Sequence, residues 1–197
     1  PDRAYAESSD SLGSFDQCID YFPNQVVPLP QFDAGQLAKL CYRGFATLYS
    51  GSAKGPLYSV SRLNAQKIKA GREIERSDRF FEESRLPVSM RSKLSSYRST
   101  PFDRGHLSPS ADQFTAEGDA QSFSLANCQP QYSQHNRHVW SSVEVSQRKY
   151  ILRASGDVFV LTGVAFLKDM GRLSGGELIP SHFYKLMFDP LAGKSWA

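Results

Sequence analysis

Asp103, Arg104 and His106 stand within four positions of one another, in the run Phe102-Asp103-Arg104-Gly105-His106-Leu107. An imidazole, with an ordinary pKa of about 6.5, can take a proton from water at neutral pH. A guanidinium beside it can hold a phosphate through paired hydrogen bonds. Asp103 can orient the loop, and Gly105 permits close approach of a neighbouring group. Farther on, Asn136, Trp140 and Glu144 recur at intervals of four. At about 100° per residue they share one side of a helix, with Asn136 at its start and Glu144 two turns in. An amide oxygen and a carboxylate suit a hard cation such as Mg2+, which keeps most of its waters. Base, countercharge and metal are the parts that hydrolysis of a phosphodiester requires. Each residue also has a plainer reading. His106 is then a surface residue of a polar loop, Asn136 a helix N-cap, Glu144 an exposed helix charge and Trp140 a core anchor.

These residues need elements to hold them. Residues 136–150 predict a helix with Val139, Trp140 and Val143 as its apolar stripe. Residues 123–127 read as a short strand or its exit. Upstream, 45–50 has strand character, 51–55 reads as a hairpin loop and 56–60 as the second strand. Residues 64–100 are basic and without periodicity, which predicts long loops and short helices. Residues 157–166, rich in β-branched and aromatic side chains, predict a central strand. Residues 171–176 predict a turn, and 179–189 a further strand opened by Pro180. Residues 36–41 read as a short helix or turn, and 1–17 as a weakly ordered lead-in. Strands and helices mix without a βαβ repeat, which makes the class α+β.

Composition limits the alternatives. The 197 residues, 40% hydrophobic with 13 Phe and 9 Tyr, suffice for one domain with a real core and argue against disorder. The longest apolar stretch, 158–167, is interrupted by Thr162 and Gly163 and falls short of the ~20 residues a bilayer span needs. The net charge of +3 is unevenly spread: residues 1–40 are acidic, and 41–106 hold 13 of the 23 basic side chains. That middle third is either a footprint for a polyanion or a solvated face. Of three cysteines, Cys18 and Cys41 flank a proline-bearing segment. They are either a disulfide, which suits a secreted or periplasmic protein whose signal peptide has been removed, or two free core thiols.

Three motifs in order, FDRGHL at 102–107, Asn127-x-x-Pro130-Gln131, and Asn136-x-x-x-Trp140-x-x-x-Glu144, resemble the DNA/RNA non-specific endonuclease family. Tyr97-Arg98, VLTGVAF at 160–166 and IPSHFYK at 179–185 agree, and the resemblance covers residues 45–190. It implies a central antiparallel sheet flanked by helices, with a ββα-metal motif whose ribbon carries His106 and whose crossing helix carries Asn136 and Glu144. It implies that His106 is the general base. Asn136 is then the sole direct protein ligand of a hydrated Mg2+, with Mn2+ as a substitute. Glu144 holds a metal-bound water. Arg104 supports the site or touches phosphate, and Asp103 and Asn127 complete the catalytic set. The family's upstream phosphate-binding arginine matches Arg76, with Arg79 and Arg91 as rivals. The implied substrates are DNA and RNA, cut to 5′-phosphate products. They are gripped by the backbone without base readout, since no recognition helix or zinc-finger spacing is present. A protein inhibitor is an implied partner, and a membrane is not.

Two departures carry expectations. Cys128 follows Asn127 where the family usually has an aliphatic residue, which predicts a packing role. The chain ends at Ala197, soon after the IPSHFYK segment, where family domains usually continue. The organisation expected is an accessory segment at 1–40, pinned by Cys18–Cys41, and a nuclease domain at 41–197 short of a C-terminal piece. Two other classes compete. One is a binding module that kept the fold and lost turnover, against which the intact His, Asn and Glu set argues. The other is a structural zinc protein built on Cys128, His135, His138 and His182, whose spacing fits no common zinc pattern.

Overall fold

A computed structural model describes residues 11–30 and 35–197; residues 1–10 of the expected lead-in and residues 31–34 lie outside the described residues. The chain first builds a meander from β1 (Leu37–Cys41), β2 (Phe45–Ser50) and β3 (Gly55–Leu63). Next comes the short helix α1 (Ala65–Gly71), whose first turn is capped by the Asn64 side chain accepting from the Lys67 N–H at 2.9 Å. A long irregular stretch, with a 3-10 turn at Leu94–Tyr97, leads to β4 (Phe102–His106). Then follow α2 (Ala116–Ser122), β5 (Cys128–Tyr132), a π-turn (His135–Trp140) that runs into α3 (Ser141–Ile151), and β6 (Val158–Ala165). β7 (His182–Asp189) and β8 (Lys194–Trp196) complete the order.

The main sheet is antiparallel throughout, in the order β1-β2-β3-β6-β7-β8, while β4 and β5 pair as a separate ribbon. The class is therefore α+β. β6 is an interior strand between β3 and β7, which explains its run of Val, Phe and Leu. On one side of the sheet Phe15 and Phe22 pack against Leu48, Tyr58 and Val60. Another cluster sets Leu40, Phe45 and Tyr49 against Leu86, Met90 and Ala126. Ile68 of α1 and Ile151 of α3 meet Leu63, Val158 and Val160. The ribbon and its surroundings have their own cluster of Tyr97, Leu125, Cys128, Leu173 and Ile179.

Several expectations change. Residues 36–41 are not a helix or turn but hold edge strand β1. Ala38 and Leu40 alternate inward, and β2 supplies the ladder that outweighs the helix preference of Leu, Ala and Lys. Residues 123–127 contain a 3-10 turn at Leu125–Asn127, held by the Ser124 hydroxyl, and the strand starts one residue later at Cys128. Strand β7 opens at His182, two residues after Pro180. Val139 and Val143 do not line a buried stripe: they are exposed, and Trp140 alone of the three is buried. Within the described part of the lead-in, Leu12 bridges to Ala38, and residues 16–21 form a 3-10 turn.

Cys18 and Cys41 form a disulfide across Cα atoms 5.7 Å apart, while Cys128 is buried and free. The bond ties the 3-10 turn to the end of β1 and closes a loop with a sequence separation of 23. Closing such a loop removes about 3 kcal/mol of unfolded-state entropy. Cys18→Ser should lower unfolding stability in urea by about that amount. A midpoint equal to that of the unmodified chain would contradict the assigned bond.

Candidate active site

The ribbon places the first motif. Asp103 pairs with Gln131, Gly105 with Gln129 and His106 with Cys128, so Arg104 and His106 share one face and Asp103 and Gly105 the other. A Cβ on residue 105 would run into the Gln131 amide, so glycine is what lets that side chain cross the ribbon. On the opposite face the His106 ring stands edge-on to Phe123 at 5.0 Å and lies 5.3 Å from Phe80. Its Nε2 is buried without a partner. Burial, and next the positive charges of Arg76 and Arg104, push the imidazole down to about 3. His106 is therefore neutral at physiological pH. Both arginines lie on aromatic rings beside it, Arg104 4.1 Å over Phe80 and Arg76 4.8 Å over Phe123.

The helix that crosses the ribbon starts at Ser133, directly after β5, so Asn136 sits inside it and is not its N-cap. Its first turns are π-type over His135–Trp140. In a regular α-helix Asn136 and Glu144 would lie about 80° apart around the axis. The extra residue that a π-turn admits brings them back to roughly the same line. Trp140 keeps the helix seated, packed against Phe183 at 5.6 Å.

Asp103 joins the two units. Its carboxylate accepts from Ser133 Oγ at 2.9 Å, from Asn136 Nδ2 at 2.9 Å, and from Arg137 Nε and Nη2 at 2.9 and 2.7 Å. Burial works against its charge, yet these hydrogen bonds hold it below the usual carboxylate range. Because Asp103 takes the amide nitrogen of Asn136, the amide oxygen points elsewhere, and no hydrogen bond to it is made among the described residues. Glu144 likewise has no hydrogen-bond partner among them. Burial, with Asp112 adding, raises its carboxyl to about 7 against the opposing pull of Lys185, Arg148 and Arg76. Arg76 acts electrostatically on both His106 and Glu144, which sets the two motifs around one guanidinium.

Among the described residues no group of three or more His, Cys, Asp or Glu side chains is placed to hold a metal. A free amide oxygen and an uncompensated carboxyl on one helix line are instead suited to a hard ion that retains its waters. The chemistry of these two donors fits a hydrated divalent cation.

Asn127, expected in the catalytic set, is fully buried, and its side chain is engaged within the fold. Oδ1 accepts from Ser59 Oγ at 2.9 Å and the Ser108 N–H at 3.0 Å, while Nδ2 donates to the carbonyls of Ser108 and Ser122. These bonds fix the strand exit after His106. Of the three candidate upstream arginines, Arg91 is used to hold the carbonyls of Leu86 and Ser84, and Arg79 lies in a neighbouring groove. Arg76 lies 4.8 Å over Phe123, the ring edge-on to His106, and is ion-paired with Asp78 at 2.6 Å.

Sequence reasoning missed four contributors. Phe80 and Phe123 wall the imidazole, and nothing in their spacing marks them. Arg148 ion-pairs with buried Asp112 at 3.0 Å, and its place four residues after Glu144 was the available signal. Lys185, the last residue of IPSHFYK, is buried, donates to Thr162 Oγ1 at 2.6 Å and lies 5.3 Å over Trp140.

The ribbon, crossing helix and basic aromatic pocket sit beside the main sheet of an α+β scaffold. The profile of the DNA/RNA non-specific endonucleases matches residues 26–195, and the chain belongs to that family. It is 34% identical over 153 residues to Nuclease C1 of Cunninghamella echinulata var. echinulata, covering 71% of this chain and 60% of that protein. It is 26% identical over 182 residues to human mitochondrial Endonuclease G, covering 81% and 60% respectively. The chain thus spans 60% or less of the curated relatives' lengths named here. Among solved structures, an EndoG/EndoGI complex described under the mechanism of EndoG inhibition matches with a TM-score of 0.74 at 22% identity. That match covers 91% of this chain and 75% of the other, and it supports the fold.

Two outcomes follow from this geometry. Asn127→Ala should cost about 3 kcal/mol or more in urea denaturation, because it strands buried partners; wild-type stability would refute the structural role. Glu144, raised to about 7 in the folded state, binds its proton more tightly folded than unfolded. Without metal, stability should therefore fall as pH rises from about 4.5 to 7. Glu144→Gln should flatten that slope, measured by thermal melts in EDTA; an unchanged slope would contradict the assignment.

Proposed function

We propose that this chain is a Mg2+-dependent endonuclease, with Mn2+ as a substitute, that hydrolyses DNA and RNA backbones without base readout and leaves 5′-phosphate ends. The observation that carries the reading is the Asp103 carboxylate, which fastens Asn136 to the strand that bears His106. Base and metal donor then belong to one rigid unit.

Neutral His106 offers a ring-nitrogen lone pair to accept a proton from the attacking water. Arg76 and Arg104 supply fixed positive charge for the phosphate. Asn136 Oδ1 would hold the hydrated cation directly, and Glu144 would hold it through water. When bound, that cation supplies charge against the crowded phosphate and acidic water for the departing 3′-oxygen. Family membership supports nucleic-acid substrates, and the inhibitor complex of the structural neighbour supports a protein inhibitor as a partner class. The disulfide supports a secreted or periplasmic site of action. Among the described residues no helix is long and apolar enough to cross a membrane.

Plasmid DNA and total RNA should both be degraded with Mg2+ and spared in EDTA. His106→Ala should lower the rate by about 100-fold or more with an unchanged circular dichroism spectrum. Asn136→Ala should weaken Mg2+ dependence specifically. Wild-type turnover by His106→Ala would end this mechanism.

A further inference from the structure

Three guanidinium groups line one groove beside the imidazole. Arg79, Arg98 and Arg104 border a space of about 450 Å³, together with Phe80, Tyr97 and Phe102. None of the three has an acidic partner among the described residues. The two carboxylates in the groove are engaged with other arginines, Asp78 with Arg76 at 2.6 Å and Asp103 with Arg137 at 2.7 Å. Arg104 Nε is buried without a hydrogen bond. Unpaired cations along an aromatic-walled trench attract a run of phosphates rather than a single one.

The rim adds a second feature. Phe102 and Tyr132 face each other across the end of the ribbon, rings 4.5 Å apart. Phe102 borders the groove, while Tyr132 is 51% exposed and contributes nothing to the core. An aromatic pair presenting an open face next to a phosphate track is the arrangement that stacks bases of single strands. A base held inside a duplex has both of its faces covered by its neighbours and cannot use it.

We propose that this groove is a subsite for nucleotides flanking the scissile phosphate. Arg79 and Arg98 meet neighbouring phosphates, and Tyr132, backed by Phe102, takes an unpaired base, so single strands are held more tightly than duplex. The proposal rests on the nuclease reading above and names the substrate form that the site prefers.

The test is fluorescence anisotropy in EDTA, which reads binding without turnover. The probes are labelled oligothymidylate and a duplex of equal length. The full chain should bind the single strand more tightly. Tyr132→Ala should lose roughly tenfold on the single strand and little on the duplex, and Tyr132→Phe should keep the preference. Arg79→Gln with Arg98→Gln should reduce the salt slope on the single strand by roughly 0.7 per arginine. Equal wild-type affinity for both probes, or equal losses on both in Tyr132→Ala, would overturn the proposal, as would an unchanged salt slope. Plasmid cleavage with Mg2+ is scored separately. A chain that shows the expected binding pattern and never cuts would uphold the subsite and remove the hydrolytic reading.

Discussion

One carboxylate sets the geometry of the whole centre. Asp103 lies on the ribbon three residues before His106, and all its strong hydrogen bonds run to the first turns of the crossing helix. A salt bridge to an exposed arginine contributes little stability by itself. Its value here is directional: by engaging the amide nitrogen of Asn136, Asp103 leaves the oxygen for a different ligand. The same acid that belongs to the base's own motif thereby decides how the other motif is presented.

The site combines groups that an ordinary fold would keep apart. The imidazole is walled by Phe80 and Phe123 and faced by two arginines, an environment that resists its protonation. Glu144 lies in the opposite situation, a carboxyl burdened by burial and by Asp112 with no hydrogen bond to relieve it. An excess of positive charge at one pole and an unrelieved acid at the other make a site prepared for a phosphate and a cation together. Buried Lys185 and Arg148 moderate the acid pole, and the protein accepts the cost of burying Lys185 with a hydrogen bond to Thr162 and the face of Trp140.

The scaffold supports this by separating duties. The six-stranded sheet carries most of the core, and the two-stranded ribbon carries the candidate site. Asn127 links them, since its side chain bonds Ser59 of β3 and the backbone of Ser108 just past His106. A residue of a conspicuous motif thus serves the fold, while two phenylalanines outside any motif shape the base.

The family was legible in the residue types and their spacing, because the motifs at 102–107, 127–131 and 136–144 lie within the residues that the family model matches. Strands β2 and β6 were legible because local pattern and partner agree there. The sequence alone could not place β1, since its ladder partner lies in another segment and its Leu, Ala and Lys favour a helix when taken alone. Nor could it separate Asn127 from Asn136, two asparagines in similar motifs, because burial distinguishes them and burial is a property of the packed chain. The π-turn at His135–Trp140, and the place of Arg76 over the Phe123 ring, are likewise visible only in the tertiary structure. Helical register and the distance between remote side chains are fixed only when the helix, the ribbon and the loop pack together.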